Sequence, residues 1–446
     1  MAAPSLNLDE VTNSKMKYLI CGMMAAYALL GVTGMAAAQG CGPAPSGSNE
    51  FDKSEPLTLE QAVIRAGNSS PEVRQAALES RAAMADADQA GRRINPAVTL
   101  EAENFAGSGA LDGFNAFETT LSVEQTFRLG RKRFLSESAA RAEAALASAE
   151  CEVQKLEAQR LAGELFIELE ASIALSEVAS ASADLAEEFA SLVARRVDAG
   201  ASAPPELSRA KAEAAILQAA ADMARGEAEA RALELASVWG SPAVDFLLPN
   251  QEQWMLGADR LDSEPSGTTH PQIRAARAAI DAGAAETERA RAGAWPDVTV
   301  SAGVRRFEDT GDQAFLAGVS LPLPLFDSNQ DAVRAAKLRS QKAEISSRAT
   351  EARLLAEQTR LVSQVRAAQS RLERLESEAL PLSESAYASA AEGYRVGKFN
   401  LTATLEARRS LIETRTAVID ARMALHTQTL RLRALIGAAP FEGDIQ

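Results

Sequence analysis

The side chains that most often carry catalysis or bind metal are scarce in this chain. Its two histidines, His270 and His426, lie more than 150 residues apart, and neither has a second metal ligand at helical spacing. Metal sites need several histidine, cysteine or carboxylate groups that converge on one point. The sequence also lacks a phosphate-binding loop and the cysteine–histidine or serine–histidine–aspartate arrangements of a nucleophile. We therefore expect a protein that is not an enzyme, with no catalytic residue, no resident metal and no cofactor, and we interpret His270, which precedes a proline, as a helix cap.

The amino-terminal region indicates export. Lys17 precedes an apolar run over residues 18–38 that ends in three alanines. A cation, an apolar stretch and a small-residue ending are typical of a signal peptide, and a membrane anchor is the alternative. We predict a signal peptide over residues 1–38, with Met16 as an alternative start because Asp9 and Glu10 are unusual in such a leader.

Cys41 follows the predicted cleavage site directly. Ala38-Gln39-Gly40-Cys41 matches a lipoprotein box poorly, because such boxes prefer leucine three residues before the cysteine and a small residue two before it. We favour cleavage after Ala38 and keep lipidation of Cys41 as the alternative. Only Cys41 and Cys151 lie beyond the leader, so we expect no disulfide framework.

Composition and charge narrow the class of protein. Aromatic residues make up 5% of the 446 residues, whereas alanine, glutamate, arginine and leucine fill long stretches. This bias indicates long helices rather than several compact cores. The net charge of −15 disfavours nucleic acid as a partner, because binding to phosphates requires clustered lysine and arginine.

One unit of nearly half the chain occurs twice. Pro71 returns as Pro271 and Pro96 as Pro296, both at an offset of 200 residues, and Gly200 corresponds to Gly397. Each copy has the pattern of a helix, two alternating strands, a very long helix, a tight turn and a return helix. The predicted organisation is a linker over 39–57, a first repeat over 58–239 with strands at about 97–105 and 116–127, an inter-repeat equatorial segment over 240–269, a second repeat over 270–438 with strands at about 297–307 and 314–323, and a tail over 439–446.

The long helices and the strands suit a membrane assembly. About 65 helical residues span roughly 100 Å, which exceeds any globular core. Gly200 and Gly397 end these helices, where a left-handed cap is expected. Strands of about ten residues with one apolar face can cross a bilayer. Four strands cannot close alone, so we expect three chains to form twelve strands; a periplasmic coiled-coil scaffold outside the membrane is the alternative.

Four stretches of the sequence resemble one known family. They are Leu57-Thr58-Leu59-Glu60-Gln61-Ala62, Asn95-Pro96, Leu129-Gly130-Arg131-Lys132-Arg133 and Tyr394-Arg395-Val396-Gly397-Lys398-Phe399. The chain resembles the TolC family of outer-membrane efflux proteins over about residues 56–438. The resemblance implies a mainly α fold with a β-barrel portion: a homotrimer with a twelve-stranded outer-membrane barrel on a long periplasmic α-helical tunnel. It also implies docking to a periplasmic adaptor that connects to an inner-membrane pump.

A narrower stretch resembles one branch of that family. Residues 320–327, Ser-Leu-Pro-Leu-Pro-Leu-Phe-Asp, with Asn329-Gln330, are similar to the cobalt–zinc–cadmium branch. The resemblance implies a passive exit duct for heavy-metal cations, with ion choice left to the pump. Drug efflux or type I protein secretion through the same duct are the alternatives.

The resemblance also implies roles for particular residues. The hairpin tips that contact the adaptor would comprise Ala199, Gly200, Ala201, Val396, Gly397 and Lys398. The periplasmic constriction would comprise Glu206, Tyr394, Phe399 and Glu406. The chain departs from the family pattern at Phe399, where a basic residue is usual, and at Ala403, where an aspartate is usual. The usual charged links are therefore in doubt, and the two glutamates are alternatively ordinary exposed residues.

Overall fold

The computed structural model of the protein describes residue 41 and residues 55–249 and 270–436. The predicted signal peptide, most of the predicted linker, residues 250–269 of the inter-repeat segment and the predicted tail lie outside these described residues. Within the described ranges, no helix is long and apolar enough to cross a membrane.

The first copy contains four helices and two strands among the described residues. The helices are α1 (Leu59–Ser69), α2 (Pro71–Ala90), α3 (Lys132–Asp198) and α4 (Pro204–Ser237), and the strands are β1 (Ala97–Glu103) and β2 (Glu118–Arg128). The second copy has α5 (Pro271–Ala292), β3 (Asp297–Phe307), β4 (Gln313–Ser320), α6 (Gln330–Arg374), α7 (Leu380–Arg395) and α8 (Leu401–Ile436). The fold is mostly helical with one small sheet. In both copies a helix leads into two strands, a long helical segment and a return helix, but α1 has no described counterpart in the second copy, and the long segment there is divided into α6 and α7.

Local sequence signals explain where the helices begin. Thr58 and Gln61 form a capping box: the Thr58 hydroxyl accepts from the Gln61 backbone N–H at 3.2 Å, and the Gln61 side chain accepts from the Thr58 backbone N–H at 3.1 Å. This arrangement satisfies two N–H groups that a helix start leaves unpaired. At the start of α5, Nδ1 of His270 accepts from the Gln272 backbone N–H at 3.2 Å, which confirms His270 as a cap.

The long second-copy helix is interrupted where the sequence places a proline. A π-helical turn over Leu375–Ala379 separates α6 from α7, and Pro381 lies in the first turn of α7. Proline has no backbone N–H, and its ring clashes with the carbonyl four residues earlier. The wider π turn accommodates that carbonyl without breaking the helical path.

The strands form a single antiparallel sheet in the order β1-β2-β3-β4. The register aligns Leu100, Leu121, Val304 and Phe315 across one face. Leu100 is 70% exposed and Phe315 is 88% exposed in the single chain. The middle of the sheet thus presents an apolar face to its surroundings, with the polar residues Thr119, Arg306 and Gln313 aligned at one end of that face.

The opposite face of the sheet is polar and internally paired. Arg305 of β3 donates to Glu118 at 2.9 Å and to Thr120 at 2.9 Å, both on β2. It also forms an ion pair of 2.9 Å with Glu103 of β1. One arginine therefore links three strands, and the two faces of the sheet differ sharply in chemistry.

The helices pack around an apolar core near the junction of the two copies. This core joins α1, α3 and the end of α4 through Phe166, Leu169, Leu235 and Trp239. Leu57 also belongs to it, and its backbone N–H donates to the Leu247 carbonyl at 3.0 Å. The core holds one part of the 67-residue helix α3, and the helix continues beyond this core to its end beside Gly200.

Candidate functional site at the paired hairpin tips

Both long helical hairpins end in the same backbone motif. The Ala201 N–H donates to the Arg196 carbonyl at 2.7 Å, and the Gly200 N–H donates to the Val197 carbonyl at 2.9 Å. The second tip repeats the two bonds, from Lys398 to Gly393 at 2.8 Å and from Gly397 to Tyr394 at 3.0 Å. This is a Schellman motif, which requires a residue with positive φ. Gly200 has φ +70° and Gly397 has φ +79°, so the predicted left-handed caps are confirmed.

Arg196 joins the first tip to the second. Its Nη1 donates to the carbonyls of Tyr394 and Arg395 at 3.0 and 3.2 Å, in the last turn of α7. Its Nη2 donates to the Ala201 carbonyl at 3.3 Å, in its own tip. The guanidinium carbon also lies 4.9 Å from the centre of the Tyr394 ring. A cation at a helix C-terminus is stabilised by the unpaired carbonyls and by the helix dipole.

Tyr394 makes the second connection between the tips. Its phenol donates to Oε2 of Glu206 at 3.1 Å and lies 3.4 Å from the Ser202 hydroxyl. Burial, and secondarily the Glu206 carboxylate, raise the pKa of the Tyr394 phenol above its usual range. The phenol is thus a neutral hydrogen-bond donor at physiological pH, and Glu206 is its acceptor.

An apolar cluster supports these polar contacts from below. The Tyr394 ring lies 5.1 Å from the Phe189 ring, centroid to centroid, and Leu401 and Leu405 of α8 pack in the same cluster. One buried cation borders this cluster: Arg408 of α8 is 2% exposed, and its Nη2 lies 3.3 Å from Glu213 of α4. The ends of α3, α4, α7 and α8 therefore form one packed unit.

The other predicted constriction residues are placed differently. Phe399 folds back over its own tip, so that a Cβ added at Gly393 would lie 2.2 Å from the Phe399 ring. Phe399 thus takes no part in a charged link. Glu406 lies on an exposed turn of α8, and the described part of the chain offers it no hydrogen bond or ion pair. The structure brings Glu206 and Tyr394 together and leaves Glu406 apart from them.

The six predicted tip residues are exposed, namely Ala199, Gly200, Ala201, Val396, Gly397 and Lys398. These residues form the two turns and leave them open to solvent; Val396, for example, is 51% exposed. The sequence interpretation missed Arg196 and Arg408. The residue type gave no signal, because arginines are frequent on both helices. The contacts of Arg196 with α7 and of Arg408 with Glu213 arise only when the two hairpins pair.

One interpretation of the sequence was wrong. The structure joins Cys41 and Cys151 by a disulfide bond, with 5.8 Å between their Cα atoms. The sequence interpretation expected no disulfide, and because a sulfur in a disulfide carries no thioether lipid, this bond and lipidation of Cys41 are mutually exclusive. Two cysteines give no pattern of spacings, and a pair separated by 110 residues becomes visible only when the fold brings its members together.

The remaining histidine is buried in helix packing. Burial, with Arg422 and Arg433 nearby, lowers the pKa of His426 to about 4, so its ring is neutral at physiological pH. In the described part of the chain, no group of three or more histidine, cysteine, aspartate or glutamate residues is placed to hold a metal ion.

The family follows from a match that covers both copies. The pattern that defines the outer membrane efflux protein family matches residues 63–241 and 268–438. The chain belongs to the outer membrane efflux protein family. The family is defined by export at the outer membrane rather than by a catalysed reaction.

Proteins similar to this outer membrane efflux protein include two metal-resistance proteins of Cupriavidus metallidurans. Cobalt-zinc-cadmium resistance protein CzcC is 27% identical over 367 residues, which cover 81% of this chain and 85% of the relative. Nickel and cobalt resistance protein CnrC is 32% identical over 288 residues, which cover 63% of this chain and 66% of the relative.

A solved structure shares the fold. The outer membrane protein VceC of Vibrio cholerae superposes with a TM-score of 0.69 at 24% identity, covering 85% of this chain and 96% of that chain. The family match gives this outer membrane efflux protein an outer-membrane location, and its α3 runs for 67 residues from the end of β2 to the Gly200 tip.

Proposed function

We propose that this protein is the passive exit duct of a tripartite system that exports heavy-metal cations, and that it acts as a homotrimer. The observation that carries the proposal is the four-stranded sheet with one apolar face and two open edges. β1 and β4 each pair on one side only. Unpaired backbone groups are strongly unfavourable in lipid, so such a sheet is stable there only within a closed barrel.

Three copies supply the closure with twelve strands, an even number that outer-membrane barrels use. The face that carries Leu100, Leu121 and Phe315 would contact lipid, because these side chains are exposed in the single chain. The face that carries Arg305, Glu118 and Thr120 would line the aqueous lumen, because its charges are paired across strands.

The helices extend the duct into the periplasm. At 67 residues, α3 is about 100 Å long. The tips around Gly200 and Gly397 would contact a periplasmic adaptor, which connects the duct to an inner-membrane pump. Exposed turns of small residues allow close approach of another helical hairpin, which supports this assignment. The contacts of Arg196 and Glu206 with α7 would set the width of the periplasmic opening.

The cargo is proposed from the relatives. CzcC and CnrC are named for resistance to cobalt, zinc, cadmium and nickel, and the 320–330 stretch resembles the same branch. We place ion choice in the pump and passive conduction in this protein.

A complementation experiment tests the proposal. A host that lacks its own duct receives this protein together with a periplasmic adaptor and an inner-membrane heavy-metal pump, and growth is measured in rising cobalt, zinc, cadmium and nickel. We expect tolerance only when all three components are present. A chain truncated before β3 is the matched control. Restored tolerance to drugs alone, or restored secretion of a protein alone, would contradict the metal assignment but keep the duct.

A further inference from the structure

We propose that the Cys41–Cys151 disulfide replaces a lipid anchor: it covalently fastens Cys41 to α3 and excludes acylation of Cys41. The inference goes beyond the duct function and requires only that the chain is exported. It rests on the distance between the two cysteines, on the residues that surround their sulfur atoms and on the position of Cys151 along α3.

The two cysteines lie in a site shaped for a sulfur bridge. Cys151 is fully buried and Cys41 is 6% exposed, and both pack against Ala77 of α2, with Ala76 beside it. Alanines at these two positions leave the groove between α2 and α3 wide enough for two sulfur atoms. A Cα separation of 5.8 Å lies within the usual range for a disulfide. The small side chains around the two sulfurs thus accommodate a disulfide between them.

The position of the bond along α3 also argues against a lipid there. Cys151 lies about 28 Å along the axis of α3 from Lys132, the first residue of that helix, as calculated from the helical rise per residue. The strand β2 ends at Arg128, directly before that helix start. Acyl chains attached at the observed position of Cys41 would therefore lie beside the helices, far from the apolar face of the sheet.

The bond closes a large covalent loop. It spans 110 residues and encloses α1, α2, β1 and β2. Further along the chain, the Leu57 N–H donates to the Leu247 carbonyl at 3.0 Å. The chain is thus held at Cys41 by a covalent bond and at Leu57 by backbone pairing. Crosslinks that close long loops restrict the unfolded chain and stabilise the fold.

The chemistry balances in the compartment through which the chain passes. The Cys41 and Cys151 thiols lose two protons and two electrons as their S–S bond forms. The electrons reduce the disulfide of a periplasmic dithiol oxidoreductase to its dithiol, by thiol–disulfide exchange. Both sulfurs are then shielded from attack by thiolates, so the bond resists reductants while the protein stays folded.

The first test is peptide mapping of protein purified from the outer membrane, alkylated in denaturant without a reductant. Trypsin would release residues 39–53, with Cys41, and residues 142–155, with Cys151. We expect these two peptides joined as one species that dithiothreitol separates. Two separately alkylated peptides, or a diacylglyceryl group on Cys41, would overturn the proposal.

The second test separates the bond from either sulfur alone. Cys41→Ala, Cys151→Ala and the double variant are compared by thermal unfolding in detergent, with reduced and alkylated wild type as a chemical control. If the bond is what matters, all four proteins have the same Tm, lower than that of the oxidised wild type by about 5 °C or more. A lower Tm in Cys41→Ala alone, or incorporation of labelled palmitate into Cys151→Ala and wild type alike, would contradict it.

Discussion

The phenol of Tyr394 donates a 3.1 Å hydrogen bond to Glu206, and this bond joins hairpins from the two copies of the duplicated unit. Arg196 crosses the same gap to the carbonyls of Tyr394 and Arg395. The two links differ in kind: one ends on a side-chain carboxylate, whereas the other ends on backbone. Substitution can therefore remove the first without disturbing the second.

Tyr394→Phe should loosen the tips without unfolding them. The ring still packs on Phe189, but the bond to Glu206 is lost, which weakens the link by roughly 1–2 kcal/mol. We expect single-channel conductance in planar bilayers to rise above that of wild type. Tyr387→Phe is the matched control, because Tyr387 lies seven residues earlier in the same helix. Equal conductance of both variants and wild type would show that the bond does not restrict the opening.

Glu406→Gln should reduce cation preference. Three chains would place three exposed Glu406 carboxylates near one opening, and rings of acidic side chains concentrate cations. We expect the reversal potential under a salt gradient to shift toward zero, the value for a pore without ion preference. The shift should be largest at low salt, because salt screens the carboxylates over a Debye length of about 10 Å near 0.1 M. Glu413→Gln, two turns further along α8, is the control. Glu206→Gln is a poorer test, because it also breaks the bond with Tyr394. An unchanged potential throughout the salt series would identify Glu406 as ordinary surface charge.

Local rules predicted much of the fold from the sequence. The capping box at Thr58 and the left-handed turns at Gly200 and Gly397 each depend on a few neighbouring residues, so their signals are complete in the sequence. The same holds for the alternation that separates Leu121 from Glu118 onto opposite faces of the sheet. The duplication strengthened none of these single signals, but it showed the order in which they follow one another along the chain.

Contacts between distant segments could not be predicted in the same way. Arg196 binds carbonyls 198 and 199 residues away, and the carbonyl of any residue would look identical in the sequence. Cys41 and Cys151 are joined only because the fold places Cys41, 110 residues earlier in the chain, against Ala77 of α2 and beside Cys151 of α3. Such contacts depend on which helices become neighbours in the fold, and no local pattern of residues predicts those neighbours.

Gly397→Leu should abolish adaptor binding while the trimer remains intact. A leucine at φ +79° is strained by about 1 kcal/mol and adds bulk to an exposed turn. We expect normal yield in the outer membrane, loss of crosslinking to the adaptor and loss of metal tolerance. Gly226→Leu is the control, because Gly226 lies on an exposed turn of α4 with open space around it. Normal crosslinking of the Gly397 variant would rule out this tip as a contact.

Val319→Arg should prevent stable insertion into the membrane. Val319 is 75% exposed on the apolar face, and an arginine on a lipid-facing position is unfavourable by up to about 2–4 kcal/mol, the value that applies if the position faces the middle of the bilayer. We expect a large loss of folded protein in the outer membrane, measured by its heat-resistant trimer band.

The control for this substitution must lie on the polar face away from Arg305. Glu118→Arg would place a second cation beside Arg305, which already pairs with Glu118, so it is unsuitable. Glu124→Arg is preferable, because Glu124 is exposed and lies opposite Ser301 on β3. Equal tolerance of Val319→Arg and Glu124→Arg would contradict the assignment of faces.

Glu170 should make the stability of the protein fall as pH rises. It is 7% exposed on α3, its Oε1 has no hydrogen-bond partner in the described part of the chain, and burial raises its pKa to about 7. The folded state therefore holds this proton more tightly than the unfolded state, in which glutamate has a pKa near its usual value. At a pH below that usual value, Glu170 is protonated in both the folded and the unfolded state, so its full contribution to the free energy of unfolding is present. Between it and pH 7 the free energy of unfolding decreases, by about 3 kcal/mol in total.

Glu170→Gln removes the buried charge and keeps the shape of the side chain. We expect the Tm of this variant to exceed that of wild type at pH 8 and to match it near pH 4, with most of the difference appearing between pH 5 and pH 7. Glu177→Gln, two turns further along α3 and exposed, should leave the pH profile of wild type unchanged. If Glu170→Gln and Glu177→Gln give the same profile, then the Glu170 carboxylate ionises in the folded protein without cost, and the assembled trimer must supply it with a partner or with water.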